Sequence, residues 1–346
     1  MKLAILGAGS WGLALAALLT SPGTEIWLWC RRPEVAEEVR RNRAHPTYLP
    51  QVRLDPAIRV TGSLEEACRS AETVIFAAPT HGQRRVAEQA RDLVGGASLL
   101  VSAAKGFEAE SALTMTQLLA EVLGPEAQQH LVALSGPNLA PEVAVRMPTA
   151  AVLAAVNPAA RDLAVQRLAA PSWRLYANDD PLGVEFAGAM KNVIAIAAGV
   201  CDGLRVGDNA KAAIITRGLS EMTRLGVRAG ANPFTFAGLA GVGDCLVTCI
   251  SRLSRNRTLG ERIGQGESPA AAQAETPMVA EGVNASRAAL MLASRYQVEL
   301  PITQAVHAII FEGSSVADEV RGLMARNLRP ELVPADIGIS SAEVES

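Results

Sequence analysis

Lys2-Leu3-Ala4-Ile5-Leu6-Gly7-Ala8-Gly9-Ser10-Trp11-Gly12 opens the chain, and the helical pattern Leu13 to Leu19 follows it directly. An apolar run stops at a glycine-rich turn and a helix begins, which is the order strand, G-x-G-x-x-G, helix. The three glycines have separate physical duties. Gly7 permits the tight turn, Gly9 lets a pyrophosphate approach the backbone, and Gly12 lets the helix pack on the strand. The first N–H groups of the helix then face the phosphate. A lone G-x-G-x-x-G says little, but flanked on both sides in this way it predicts a dinucleotide-binding domain.

Working outward, the second strand, Glu25 to Trp29, ends at Cys30-Arg31-Arg32. An acidic residue there would bind the ribose 2′-OH of NAD. Arg31 and Arg32 suit a 2′-phosphate instead, so NADP(H) is the expected cofactor, with NAD(H) use left open by nearby Glu34. Strand-like runs recur at Thr73 to Ala78, Ser98 to Ser102 and Leu131 to Leu134, with helical patterns at Val86 to Leu93 and Ala112 to Leu123. Such alternation predicts a doubly wound parallel sheet whose ligands lie at the carboxyl ends of the strands. Pro79-Thr80, Lys105-Gly106 and Ser135-Gly136-Pro137-Asn138 fall there. Shorter runs at Ala150 to Ala154 and Trp173 to Tyr176 complete a first domain spanning residues 1–178.

Composition bounds the rest. At 346 residues the chain has room for about two domains, and 49% of it is hydrophobic. A net charge of −3 provides no basic field for nucleic acid or anionic lipid. No apolar run approaches about 20 residues, so no membrane span is expected. The N-terminus enters a strand directly, and glycines 7, 9 and 12 interrupt any signal-peptide core. Five scattered cysteines, with no histidine beside Cys245 and Cys249, read as reduced core residues of a cytoplasmic protein without a metal site.

The second half, 179–346, reads as an all-helical domain. Asn178-Asp179-Asp180-Pro181 is a linker and helix start, and the helix runs to Cys201 before Asp202-Gly203. Lys191 lies near its middle. Its same-face neighbours, Ala187, Gly188, Ile194 and Ala195, include no carboxylate, which fits either a lowered amine pKa and proton transfer or a lysine that snorkels from a half-buried helix. Of the 32 lysines and arginines only four are lysine, namely Lys2, Lys105, Lys191 and Lys211. A chain that otherwise prefers arginine keeps lysine where a tunable amine is required. Asp208-Asn209 then caps a helix from Ala210 to Leu225, and the turn Gly238 to Gly243 presents Asp244. In Ser251 to Arg257, three arginines, two serines and an amide could hold a phosphate, although taken alone the segment reads more simply as a solvated helix end.

Eight motifs in order carry a resemblance. They are Gly-Ala-Gly-Ser-Trp-Gly (7–12), Ala-Ala-Lys-Gly (103–106), Leu-Ser-Gly-Pro-Asn-Leu-Ala (134–140) and Met-Lys-Asn-Val-Ile-Ala-Ile-Ala-Ala-Gly (190–199), then Gly-Asp-Asn-Ala-Lys-Ala-Ala (207–213), Gly-Val-Gly-Asp (241–244), Ser-Arg-Asn (254–256) and Val-Ala-Glu-Gly (279–282). Together they closely resemble bacterial NAD(P)-dependent glycerol-3-phosphate dehydrogenase over residues 1–312. The resemblance implies reversible reduction of dihydroxyacetone phosphate to sn-glycerol 3-phosphate for phospholipid synthesis. It implies that Lys191 is the catalytic lysine and that Lys105 lies near both nicotinamide and substrate. Gly136, Asn138, Asp244, Ser254, Arg255 and Asn256 match substrate-binding positions. Ser10, Trp11, Arg31, Arg32, Tyr48, Ala140, Arg255, Val279 and Glu281 match cofactor positions, joining Gly7, Gly9 and Gly12.

One departure stands out: the loop reads Gly-Pro-Asn-Leu-Ala where the family more often has Gly-Pro-Ser-Phe-Ala. Asn138 can donate and accept as serine does. A 3-hydroxyacid or 6-phosphogluconate dehydrogenase also places a helical lysine opposite such a domain, but Ser254-Arg255-Asn256 and Gly-Val-Gly-Asp tell against it. A non-catalytic nucleotide sensor would have little reason to keep Lys105, Lys191 and Asp244. A homodimer is expected from the apolar helical second half.

Overall fold

Runs of Val, Ile and Leu suit strands covered by helices on both faces. The computed structural model describes residues 1–274, 280–327 and 330–331, and its strands are β1 (Lys2–Leu6), β2 (Glu25–Trp29), β3 (Arg59–Thr61), β4 (Thr73–Phe76), β5 (Leu99–Ser102), β6 (Leu131–Ser135), β7 (Thr149–Ala154) and β8 (Trp173–Asn178). They form one sheet in the order β3-β2-β1-β4-β5-β6-β7-β8. The first six are parallel; β7 runs antiparallel to β6, and β8 is parallel to β7. The central strands β4, β5 and β6 are buried along their whole length. Chain order reverses at β1, which has β2 on one side and β4 on the other, and a doubly wound sheet takes its ligand beyond the carboxyl ends at such a point.

The helices of this unit are α1 (Ser10–Leu19), α2 (Pro33–Asn42), α3 (Leu64–Cys68), α4 (Thr80–Ala90), α5 (Met115–Leu123), α6 (Ala140–Ala144) and α7 (Pro158–Leu168). Three details differ from the sequence reading. β3 has no counterpart there, because three residues headed by an exposed arginine carry no readable period. α4 begins at Thr80 rather than Val86, since Thr80, Gly82 and Gln83 turn a buried face. α5 begins at Met115 because Ala112 has a left-handed backbone (φ 58°), which a helix cannot continue through.

Two compact units divide the chain: Met1–Ala104 with Met115–Pro181, and Lys105–Thr114 with Leu182–Ser346. Lys105–Thr114, between β5 and α5 in the chain, thus belongs to the second unit, where Phe107 meets Phe186 edge-on at 5.0 Å.

The second unit is helical among its described residues. Its helices are α8 (Pro181–Leu204), α9 (Asp208–Arg228), α10 (Pro233–Phe236), α11 (Asp244–Ile250), α12 (Arg255–Gly264), α13 (Pro269–Ala274), α14 (Glu281–Tyr296), α15 (Pro301–His307) and α16 (Val316–Met324), with π-type turns at Leu239–Gly243 and Ala308–Glu312. Every residue of α8 from Gly183 to Cys201 is buried. By length and composition Pro181–Leu204 and Pro233–Ile250 are long enough to cross a membrane, contrary to the expectation that no segment would be. The apolar window of Pro181–Leu204 is wholly buried inside the protein, and a helix apolar on every side is a core helix in such a setting.

Backbone meets backbone between α8 and α12. A Cβ added to Gly199 would lie 2.0 Å from the Arg257 carbonyl oxygen, and one on Gly260 would lie 1.9 Å from that of Ile196. One turn on, Gly203 and Gly264 repeat the pattern at 2.2 Å from Glu261 O and 2.5 Å from Val200 O. Both helices therefore carry Gly-x-x-x-Gly on the facing side, which allows an approach that no side chain could occupy.

Candidate active site

In the first unit the glycine-rich turn has the geometry that its sequence predicts. Gly7 sits at φ 131°, and a Cβ there would strike the Ala77–Ala78 backbone at 2.8 Å. A Cβ on Gly12 would fall 1.8 Å from Gly7 O, so any larger residue would push α1 off the turn. Gly9 has open space where its Cβ would be, which leaves room for a phosphate to reach the backbone. Beside it Trp11 packs on the core, and its buried indole N–H has no protein acceptor among the described residues. Arg31 and Arg32 are exposed at the end of β2. Tyr48, half-buried, packs on His45 with ring centroids 4.7 Å apart, and the His45 pKa is lowered by burial and by the Arg32 charge. These residues fit a dinucleotide.

The loop after β6 holds Gly136 (φ 118°) and Asn138. The Asn138 amide nitrogen donates to Ala150 O at 2.6 Å, while its Oδ1 is buried without a protein donor among the described residues. Asparagine thus uses its nitrogen to shape the loop, a bond that serine could not donate in the same geometry. Ala140 is the first residue of α6.

The second unit brings Lys191, Lys105 and Asp244 together. Asp244, 1% exposed, heads α11 and accepts from two lysines at once. Lys191 Nζ donates to Asp244 Oδ1 at 2.5 Å and to Thr248 Oγ1 at 2.8 Å; Lys105 Nζ donates to Oδ2 at 2.8 Å. Lys191 lacks a counter-ion on its own helix face, as the sequence implies; the carboxylate comes from 53 residues away. The side chains of Lys191 and Lys105 are 8% and 16% exposed. Burial lowers the Lys105 pKa to about 8, although the Asp244 carboxylate opposes this, and the Lys191 charge adds to the lowering. An ammonium in that range gives up a proton readily near neutral pH.

An amide chain extends from this cluster. Asn192 Nδ2 donates to Gly188 O at 3.3 Å and reaches Lys105 O at 3.5 Å. Its Oδ1 accepts from Asn256 Nδ2 at 2.9 Å, and Asn256 Oδ1 accepts from Gly282 N at 3.0 Å. Asn256 therefore ties α8, α12 and the start of α14 together. Ser254 is the N-cap of α12, accepting from Arg257 N at 3.2 Å, and Arg255 is exposed on the first turn. Glu281 begins α14; Val279 lies outside the described residues.

Sequence reasoning missed Thr248 and Asn192. Thr248 stands one turn after Asp244 on the same helix face, a spacing that could have drawn attention to it. Asn192 follows Lys191 and had no signal of its own. The five cysteines are all buried and free, and Cys245 and Cys249 approach to 3.9 Å beneath Asp244 with the Cys245 thiol pKa raised by contact with Cys249 and by burial.

Comparison with known proteins gives one answer for both halves. Residues 2–161 match the family model of the NAD-dependent glycerol-3-phosphate dehydrogenase N-terminus, and residues 180–321 match that of its C-terminus. A glycerol-3-phosphate dehydrogenase [NAD(P)+] of Geobacter sulfurreducens is 46% identical over 331 residues, covering 95% of this chain and 98% of the relative. That of Pelotomaculum thermopropionicum is 43% identical over 99% of the chain and 98% of its own length. The crystal structure of glycerol-3-phosphate dehydrogenase from Coxiella burnetii superposes with a TM-score of 0.89 at 34% identity, over 94% of this chain and 99% of that one. With its Rossmann-type sheet, its helical unit and these relatives in agreement, the chain belongs to the NAD(P)-dependent glycerol-3-phosphate dehydrogenase family.

Proposed function

We propose that this protein reduces dihydroxyacetone phosphate reversibly to sn-glycerol 3-phosphate, with Lys191 as the proton-transfer group. The observation that carries the reading is the single buried carboxylate, Asp244, shared by Lys191 and Lys105 at 2.5 and 2.8 Å. Bound NAD(P)H supplies the hydride for the carbonyl carbon. Lys191 gives its proton to the developing alkoxide and, in the oxidation direction, takes it back. Thr248, which accepts from Lys191 and donates to Asp244 O at 2.6 Å, holds the amine on one bearing. Lys105 adds a second positive charge where oxygen becomes negative, so the pair stabilises the transition state more than the neutral ketone. Arg255, exposed on the first turn of α12, clamps the substrate phosphate with Ser254 and Asn256. Gly136 and Asn138 shape the other substrate loop.

In the same reading Gly7, Gly9, Ser10, Trp11 and Gly12 cradle the pyrophosphate, while Tyr48, Ala140, Arg255, Val279 and Glu281 complete the cofactor site. Arg31 and Arg32 take a 2′-phosphate, so NADP(H) is preferred over NAD(H). The product feeds phospholipid synthesis in the cytoplasm, and the active form is a homodimer, a reading supported by the exposed apolar side chains Leu246, Ile250 and Leu253. One assay matrix tests the core of this reading: loss of NADPH or NADH absorbance with dihydroxyacetone phosphate and with other small carbonyl substrates. Turnover is expected with dihydroxyacetone phosphate above all others and with NADPH over NADH. Turnover of a 3-oxoacid in its place would overturn the substrate, and a strong NADH preference would overturn the role of Arg31 and Arg32. Light scattering gives the mass in solution.

A further inference from the structure

Asp202, near the end of α8, is largely buried and faces two cations. Lys211 Nζ on α9 donates to both of its oxygens at 2.9 and 2.8 Å. Arg257 Nε on α12 lies 2.6 Å from Oδ2, and Arg257 Nη1 also donates to Glu261 at 3.1 Å. Arg257 is itself buried; its Nη1 bond to Glu261 is directional, whereas Nε faces Asp202 as a close ion pair without hydrogen-bond geometry. Its backbone N–H is the one that the Ser254 cap accepts. One residue thus grips Asp202 with its side chain and closes the first turn of α12 with its main chain.

Two further contacts pin the same pair of helices. Asn192 meets Asn256 at 2.9 Å, and the Gly199–Gly260 crossing prevents α12 from coming any closer to α8. The glycine contacts set the separation of the helices, since backbone against backbone is incompressible. Glycines add no side-chain interlock at the crossing; the Asp202–Arg257 ion pair adds a close, largely buried charge contact between the same two helices, two residues from Arg255.

We propose that Asp202 is a positioning residue for substrate recognition: through Arg257 it sets the first turn of α12, and with it Arg255, against the helix that carries Lys191. The inference rests on the reading of Arg255 as the phosphate clamp. Misplacing a clamp by about an ångström costs on the order of tenfold to a hundredfold. The loss should fall on substrate affinity, because neither Lys191, Lys105 nor Asp244 touches this ion pair.

The test is steady-state kinetics of the full-length Asp202→Asn, Arg257→Met, Lys211→Met and Arg255→Ala variants. Asp202→Asn and Arg257→Met should raise KM for dihydroxyacetone phosphate about tenfold or more, with kcat within about threefold and KM for NAD(P)H unchanged. Arg257→Met leaves Asp202 paired with Lys211, so it serves if Asp202→Asn fails to fold. Lys211→Met removes an ion pair from the same cluster but spares the Asp202–Arg257 link, and its KM should stay within about twofold. If Arg255→Ala raises KM while Arg257→Met does not, Asp202 has no positioning role. That role is equally overturned if Lys211→Met raises KM as much as the others, or if kcat falls in step with thermal stability. If Arg255→Ala itself leaves KM unchanged, the phosphate-clamp reading fails, whatever the other variants do.

Discussion

Replacing Asp244 by asparagine keeps the shape and one acceptor at the centre of the site but removes the charge that both lysines use. An ion pair at the 2.8 Å separation of Lys105 and Asp244 is worth about 6 kcal/mol at an effective dielectric of about 20. Lys105 is 16% exposed, and the amide oxygen still accepts a bond, so the net loss is about 3 kcal/mol. Without the carboxylate the charge that opposes the lowering is gone, so the Lys105 pKa falls below its value of about 8. Near pH 7.5 a larger share of the variant group is then neutral than of the wild-type group. Reduction of dihydroxyacetone phosphate at that pH should fall by about two orders of magnitude and recover in part as the pH drops toward 6. The assay is kcat/KM for reduction from pH 5.5 to 9, with NADPH fluorescence titration showing that the first unit still binds cofactor. An Asp244→Asn enzyme whose activity declines above pH 8 just as the wild type does would refute the argument, because the carboxylate would then not control the amine.

Further expectations follow from single contacts. Lys191→Arg keeps the charge but has no readily transferable proton and cannot fit between Asp244 and Thr248, so turnover should drop by about a thousandfold or more with NADPH affinity nearly intact; near-normal turnover would remove Lys191 from the mechanism. Gly12→Ala places a methyl 1.8 Å from Gly7 O and should weaken NADPH binding, read by fluorescence titration, by at least about tenfold; unchanged affinity would mean that the turn is not the cofactor site. Burial holds the Glu221 pKa up at about 7, although the carboxylate accepts from Ile302 N at 2.6 Å and from Thr303 N at 3.2 Å. A raised carboxyl contributes stability that is fully present below its unfolded pKa of about 4.5 and is lost as pH rises through about 7, a difference of about 3 kcal/mol. Urea unfolding should therefore show a less stable wild type at pH 8 than at pH 5 and a flatter response in Glu221→Gln; parallel responses in the two proteins would refute it.

Local chemistry made much of this molecule legible. The Gly7-to-Gly12 turn could be read because its spacing is local: Gly12 packs on Gly7 O five residues back and Gly9 faces open space, although Gly7 is also confined by Ala77–Ala78, far along the chain. Lys191 could be singled out because its neighbours within one helical turn lack any charge. What it pairs with could not be derived from composition or spacing, since Asp244 and Lys105 reach it across 53 and 86 residues, and no periodicity encodes that closure. The motif resemblance supplied those residues, but not their arrangement. The assignment of Lys105–Thr114 to the helical unit was likewise invisible, because nothing in an Ala-Ala-Lys-Gly turn states which core Phe107 will join. Thr248 and Asn192 went unnoticed for a different reason. A threonine and an asparagine on helices look like capping or surface residues until a neighbour requires their oxygens.

The choice of two lysines around one aspartate also explains why the surrounding fold is so tightly packed. Two lysines share one buried carboxylate, and burying charged groups costs several kcal/mol compared with an apolar replacement. A loosely packed helix pair could relieve that cost by opening to water, which would raise the local dielectric and weaken every interaction meant for the alkoxide. The α8–α12 crossing prevents this relief. Its glycines bring the two backbones into contact about two turns along α8 from Lys191, and Asn192, Asn256 and Gly282 N close the polar groups on one another instead of on solvent. In the proposed mechanism lysine rather than arginine serves here because the charge must also be removable: a guanidinium would keep the field but never release the proton that completes the alcohol.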